Sequence, residues 1–264
     1  MNAAAPILLF DSGVGGLTVL AELRKLLPGA PVIYAADTAG LPYGEKSEAE
    51  IAARVAGLLG RMAERYSPRL ITIACNTAST IALGMVRDVL HVPIVGTAPP
   101  IKPAGALPGT APIGLLGTSA TIRQRYVDQL EAEFASDKRL IRHAAPDLVE
   151  AAEAVLRGEA PDAAVFARAA DGLRSQPGGE EIDTVVLACT HFPLVQAQIG
   201  AALGDNVRFV HGAQGIARRI EHLTQGQEFV RDVPDFGLFT GEPDGINKLL
   251  PTLRGFRLER AERF

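Results

Sequence analysis

An α/β fold with parallel sheets, arranged as two similar lobes, follows from three observations. Short apolar, β-branched runs alternate with longer helical patterns along the chain. Those runs lack polar alternation, as befits strands buried on both faces. The two halves also carry matching sequences where strands end. The candidate strands are residues 7–10, 32–36, 70–74, 93–96, 113–116, 140–143, 184–188, 207–210 and 236–239. Three helices stand out between them. One opens on the capping box Ser47-Glu48-Ala49-Glu50 and places Ile51, Val55, Leu58, Leu59 and Met62 on one face. Another follows Ser119 and runs through Ile122, Tyr126, Leu130 and Phe134. A third begins after Thr190-His191-Phe192, with Pro193 at a first helical position.

The halves repeat one another. Ile71-Thr72-Ile73-Ala74-Cys75-Asn76-Thr77 parallels Val185-Val186-Leu187-Ala188-Cys189-Thr190-His191, each a buried strand, then Ala-Cys, then polar residues. The strand before Asp11-Ser12-Gly13 likewise parallels the strand before Gly117-Thr118-Ser119. Asp11 precedes Cys75 by 75 − 11 = 64 residues and Thr118 precedes Cys189 by 189 − 118 = 71, spacings that suggest a duplicated lobe. The Pro-, Ala- and Gly-rich residues 99–112 read as a crossover. The expected lobes are residues 1–97 with 211–264, and residues 98–210, related by pseudo-twofold symmetry with a cleft between them.

Composition narrows the function. The 264 residues are 47% hydrophobic and 21% charged, and 26 basic against 30 acidic side chains leave a net charge of −4. No basic run offsets that charge, so nucleic acid is a poor partner. No apolar stretch approaches the roughly 20 residues that span a bilayer. The N-terminus lacks the positive charge of a signal peptide, and the expected compartment is the cytoplasm, with both cysteines as free thiols.

Ligands of open α/β sheets bind beyond the carboxyl ends of the strands. Cys75 and Cys189 both fall there, just before a helix whose N-terminus favours a thiolate. One thiol from each lobe suits a reaction that removes a proton from one face of a carbon and returns one to the other. Short donors surround them: Asp11-Ser12, Pro42-Tyr43-Gly44, Asn76-Thr77 and Thr190-His191. They suit a small anionic ligand. Buried structural cysteines are the bland alternative, weakened by the symmetric placement. A metal site lacks ligands, with two thiols in all and no Cys-x-x-Cys. The glycines after Asp11 match neither nucleotide-loop pattern and equally suit a tight turn. A Cys–His hydrolase could be assembled from Cys189 or Cys75, His191 and Asp11, but it leaves one cysteine without a role. A non-catalytic binding module would need neither thiol.

Four blocks together resemble glutamate racemases, members of the aspartate/glutamate racemase family. They are Phe10-Asp11-Ser12-Gly13-Val14-Gly15-Gly16-Leu17, Asp37-Thr38 with Pro42-Tyr43-Gly44-Glu45-Lys46-Ser47, Ala74-Cys75-Asn76-Thr77-Ala78-Ser79, and Cys189-Thr190-His191-Phe192-Pro193-Leu194. The resemblance implies cofactor-independent interconversion of L- and D-glutamate, with the D-isomer supplied to peptidoglycan, and a homodimer. It assigns the proton of D-glutamate to Cys75, supported by Asp11, and that of L-glutamate to Cys189, supported by His191 and by Glu153, with Glu150 as the alternative register. Substrate would be held by Asp11, Ser12, Pro42, Tyr43, Gly44, Asn76, Thr77, Thr118, Thr121, Thr190 and His191. Aspartate racemases share the plan but tend to carry Glu where this chain has His191, which favours glutamate over aspartate or another amino acid. The family often shows Asp-Ser where this chain reads His211-Gly212. Some members carry an N-terminal extension linked to activation by a cell-wall precursor; only ten residues precede Asp11, so no such activation is expected. No pyridoxal-binding lysine is evident at the paired strand ends, so oriented amides and hydroxyls would have to stabilise the carbanion.

Overall fold

A computed structural model describes residues 2–109, 111–204 and 206–264. The chain divides into two compact units, Met1–Thr97 with Ala213–Phe264, and Ala98–Gly212.

The first unit opens with β1 (Ile7–Asp11), α1 (Leu17–Leu26), β2 (Val32–Ala36), α2 (Glu48–Tyr66), β3 (Leu70–Ile73), α3 (Asn76–Val89) and β4 (Ile94–Val95). The second contains α4 (Ile101–Gly105), β5 (Ile113–Gly117), α5 (Ser119–Ile122), α6 (Arg125–Phe134), β6 (Leu140–Ala144), α7 (Asp147–Leu156), α8 (Ala164–Arg174), β7 (Thr184–Leu187), α9 (Gln196–Leu203) and β8 (Arg208–His211). The chain then returns to the first unit with α10 (Ala213–Leu223), β9 (Phe236–Phe239), α11 (Pro243–Gly255) and β10 (Arg260–Arg263).

Every strand pairing is parallel, and the sheet orders are β10-β9-β2-β1-β3-β4 and β6-β5-β7-β8. The order β2-β1-β3-β4 thus recurs as β6-β5-β7-β8, while β9 and β10 extend the first sheet past β2. All residues of β1, β2, β3 and β9 are buried, the consequence of helices on both faces of a parallel sheet. At about 1.5–3 kcal/mol for each fully buried large apolar side chain, these strands supply much of the hydrophobic stabilisation.

Ser47 caps α2 as its sequence implies, its hydroxyl accepting from Glu50 N at 3.2 Å. Ile51, Val55, Leu59 and Met62 are buried below it, and Leu58 is partly buried against the same core. The segment after Ser119 departs from expectation. It forms two helices, because Gln124 takes an extended conformation and starts α6 afresh. The restart rotates the apolar face, so Val127 and Leu130 are buried and Tyr126 is exposed. The crossover expected at residues 99–112 contains α4, whose Ile101 and Ala104 join the core of the second unit.

Candidate active site

In the first unit β1 delivers Asp11 and the turn after β3 delivers Cys75, at neighbouring carboxyl ends because β1 and β3 pair directly. Asp11 is completely buried, and its Oδ1 accepts from Ser12 N at 2.6 Å, Ser12 Oγ at 3.2 Å and Gly13 N at 3.3 Å. Ser12 Oγ also lies 3.6 Å from Cys75 Sγ. Thiol, hydroxyl and carboxylate therefore form a chain along which a proton on Cys75 can be held toward Ser12 and Asp11. Cys75 is the N-cap of α3, and its sulfur accepts from Ala78 N at 3.5 Å, a contact that stabilises negative charge on sulfur. Gly16 must lack a side chain, since a Cβ there would sit 2.9 Å from Asp11 Oδ2. Asn76 and Thr77 occupy the first turn of α3, both buried. Asn76 Oδ1 has no hydrogen-bond partner among the described residues, leaving a buried acceptor beside the thiol. Tyr43 belongs to the same buried cluster as Cys75, while Pro42 and Gly44 flank it around a one-turn helix at residues 43–45.

The second unit repeats the chain with different groups. Cys189 Sγ lies 3.8 Å from His191 Nδ1, and His191 Nε2 lies 2.9 Å from Glu153 Oε1. The other Glu153 oxygen is 3.4 Å from Arg157 Nη1. Glu153 and not Glu150 meets His191; one α-helical turn separates them, and Glu150 points to solvent. Burial of His191 opposes its charged form. Hydrogen bonds to Cys189 and Glu153, together with their charges, outweigh that and raise its pKa well above the usual 6.5. A protonated imidazole here donates Nδ1–H toward sulfur and Nε2–H to the carboxylate. Thr118 caps α5, accepting from Thr121 N at 3.2 Å and donating to Thr121 Oγ1 at 3.1 Å. Thr190 is buried beside Cys189.

Cys189 is not at a helix N-terminus, contrary to the sequence reading. The first turn after it is a 3₁₀ helix at residues 192–195 that starts beyond His191, with Pro193 in its first positions, and α9 follows. Its electrostatic partner is accordingly His191 and not the backbone of a helix. The sequence reading also gave no role to Asp37, which is completely buried and receives hydrogen bonds from Tyr43, Arg54 and Thr240. An aspartate closing a strand, as at Asp11, was the available signal; Arg54 and Thr240 lie too far off in sequence to have been paired with it. His211 closes β8 beside Leu187 at the end of β7, and is half-buried. Among the described residues no group of three or more His, Cys, Asp or Glu could hold a metal ion, and no helix is long and apolar enough to cross a membrane.

Residues 17–220 match the Asp/Glu/Hydantoin racemase family. A glutamate racemase of Sphingopyxis alaskensis is 60% identical over 237 residues, covering 89% of this chain and 88% of that one. The glutamate racemase of Escherichia coli is 39% identical over 265 residues, 97% of this chain and 90% of its own. The crystal structure of Escherichia coli glutamate racemase with L-glutamate and the activator UDP-MurNAc-Ala superposes with a TM-score of 0.92 at 38% identity, covering 98% of both chains. That of Thermus thermophilus with β-chloro-D-alanine gives 0.76 at 32% identity, covering 100% of this chain and 98% of that one. The chain belongs to the Asp/Glu/Hydantoin racemase family.

Proposed function

We propose that this protein interconverts L- and D-glutamate without a cofactor, by exchanging a proton between two thiols across the α carbon. The carrying observation is that each unit sets a thiol in line with a proton-holding group and a buried carboxylate: Cys75–Ser12–Asp11 in one and Cys189–His191–Glu153 in the other. The relatives named glutamate racemase supply the substrate class.

In this reading the two thiols act on opposite faces of one substrate's α carbon. With D-glutamate bound, the Cys75 thiolate takes the α proton, and the C–H electron pair passes to the carbon and its carboxylate. The Cys189 thiol then delivers its proton to the opposite face, leaving Cys75 protonated and Cys189 as thiolate. L-glutamate runs the same steps in reverse. His191 as imidazolium stabilises the Cys189 thiolate, and Glu153 keeps the ring oriented. Ser12, the amides of Tyr43 and Gly44, Asn76 and Thr77 on one side, and Thr118, Thr121 and Thr190 on the other, hold the carboxylates and ammonium. Fixed donors of this kind stabilise the developing charge once water is excluded. The protein acts in the cytoplasm as a homodimer and supplies D-glutamate for peptidoglycan.

The test is incubation of purified protein with L-glutamate in D₂O, without added cofactor, following optical rotation and the α-proton NMR signal. Decay of rotation to zero with deuterium entering the α position is the expected result. Unchanged rotation and an intact α-proton signal from folded protein would end this reading, and the same assay with aspartate addresses the nearest alternative substrate. Sedimentation of the native protein at twice the monomer mass is the expected result for the dimer.

A further inference from the structure

Asp37 follows β2 at the carboxyl edge of the first sheet and is fully buried, and the racemase mechanism leaves it without a task. Its Oδ2 accepts from Tyr43 Oη at 2.6 Å and from Arg54 Nε, and its Oδ1 accepts from Arg54 Nη2 at 2.8 Å and Thr240 Oγ1 at 2.5 Å. The donors come from three separate parts of the unit: the one-turn helix at residues 43–45, the middle of α2, and the residue that follows β9. Burial works against a charged Asp37, but the hydrogen bonds from Arg54, Thr240 and Tyr43 prevail and hold its carboxyl below the usual range. Burial and the neighbouring Asp37 push the Tyr43 hydroxyl up, so it stays a donor. Gly40 keeps the assembly tight, for a Cβ there would collide with both Asp37 and Arg54.

Tyr43 spends its hydroxyl on Asp37 while its ring lies in the core with Cys75. The backbone N–H groups of Tyr43 and Gly44 open the one-turn helix, whose own hydrogen bonds begin with Glu45 N donating to Pro42 O at 3.5 Å.

We propose that Arg54 and Thr240 are positioning residues of the Cys75 half-site: by saturating Asp37 they fix the Tyr43 side chain, and with it the Tyr43 and Gly44 amides that receive a substrate carboxylate. This rests on the glutamate reading above. Neither Arg54 nor Thr240 touches substrate in this arrangement. Their effect passes through one buried carboxylate, and Thr240 makes the C-terminal part of the chain a contributor to the site. Losing Arg54 strips Asp37 of its charged, two-pronged donor. The carboxylate then competes for other donors, and the tyrosine anchor slackens.

The full-length chain is compared with Arg54→Met, Arg54→Lys, Thr240→Val and Tyr43→Phe by two readouts: KM and kcat in both directions, and amide hydrogen exchange of residues 41–46. In Arg54→Met we expect KM to rise about tenfold for both enantiomers with kcat held within about threefold, the pattern of lost ground-state positioning. Exchange at residues 43–46 should quicken while β1 and β3 stay protected. Tyr43→Phe, which removes the anchor itself, should move the same way by at least as much. Thr240→Val should do so by less, and Arg54→Lys should recover only part, since an ammonium cannot span both oxygens. Unchanged exchange and KM in Arg54→Met overturn the proposal, as does a fall in kcat at constant KM. If Arg54→Met does not fold, Thr240→Val, which deletes one neutral donor, decides by the same criteria. If the unaltered protein leaves glutamate untouched, the glutamate reading fails on its own, and the exchange comparison still decides whether Arg54 and Thr240 hold the turn.

Discussion

Cys75 and Cys189 were legible in the sequence because Ala-Cys after an apolar run is a local pattern repeated twice. The groups that serve them were less so. Ser12 and His191 stand near recognisable motifs, whereas Glu153 reaches His191 only through the packing of α7, and only the family resemblance favours it over Glu150 in the sequence. Arg54 shows the limit: on α2 it reads as an ordinary solvated charge, and only folding sets it against Asp37. Replacing either cysteine by Ser should lower racemisation in both directions by about 10²–10⁴-fold, the range of a lost general acid or base. Full activity in Cys75→Ser would remove the two-thiol scheme. His191 makes stability depend on pH. Its folded pKa lies above the unfolded value, so its contribution is complete below about pH 6.5 and fades as pH climbs through the folded value. The urea midpoint should therefore fall above pH 6.5, and Glu153→Gln should flatten that decline by removing one of the partners that raise the imidazole. A midpoint that climbs over that interval would contradict the assignment.

Elements were legible where their signals are local. The Ser47 cap and the spacing of Ile51, Val55, Leu59 and Met62 specify α2 almost completely. The C-terminus of that helix is less well provided. Ser67 sits at φ 43°, a left-handed conformation in which its Cβ is strained, and donates its N–H to Ala63 O at 3.0 Å. Ser67→Gly should stabilise the protein by about 0.5–1 kcal/mol, read as a higher urea midpoint at unchanged slope. In the same helix Leu59→Ala should cost about 2–5 kcal/mol, because its neighbours in the core cannot close the space. The break between α5 and α6 escaped the periodic reading because Ile122, Tyr126, Leu130 and Phe134 sit at a continuous helical spacing, while the deciding event is one extended residue, Gln124. The strand β10 escaped it for another reason. Arg260-Ala261-Glu262-Arg263 is a charged edge strand, and its place is fixed by pairing with β9 and not by hydrophobicity.

Across the whole molecule the repeated sheet order was foreshadowed by the repeated strand ends, but the two strands that break the repeat, β9 and β10, come from beyond the second unit. Asp235 fastens this returning segment. It is buried, accepts from Val32 N at 2.8 Å and Arg24 Nη2 at 2.5 Å, and lies 3.2 Å from Arg231 Nε. Burial lowers the Arg24 pKa while Asp235 opposes it, so the pair depends on both members. Asp235→Asn should cost about 2–4 kcal/mol, somewhat less than breaking a fully enclosed pair, and should expose residues 224–235 to proteolysis before the rest of the chain. A variant with wild-type melting and protease resistance would show that the segment is held some other way. The same discontinuity sets a timetable for synthesis. Ile33 waits beside an open edge until Phe236, its register partner, has been made. At about 5–20 residues per second that wait is on the order of ten to forty seconds. Throughout it the nascent chain displays the apolar, unpaired flank of β2, and all four strands of the inserted unit are synthesised before that flank is covered.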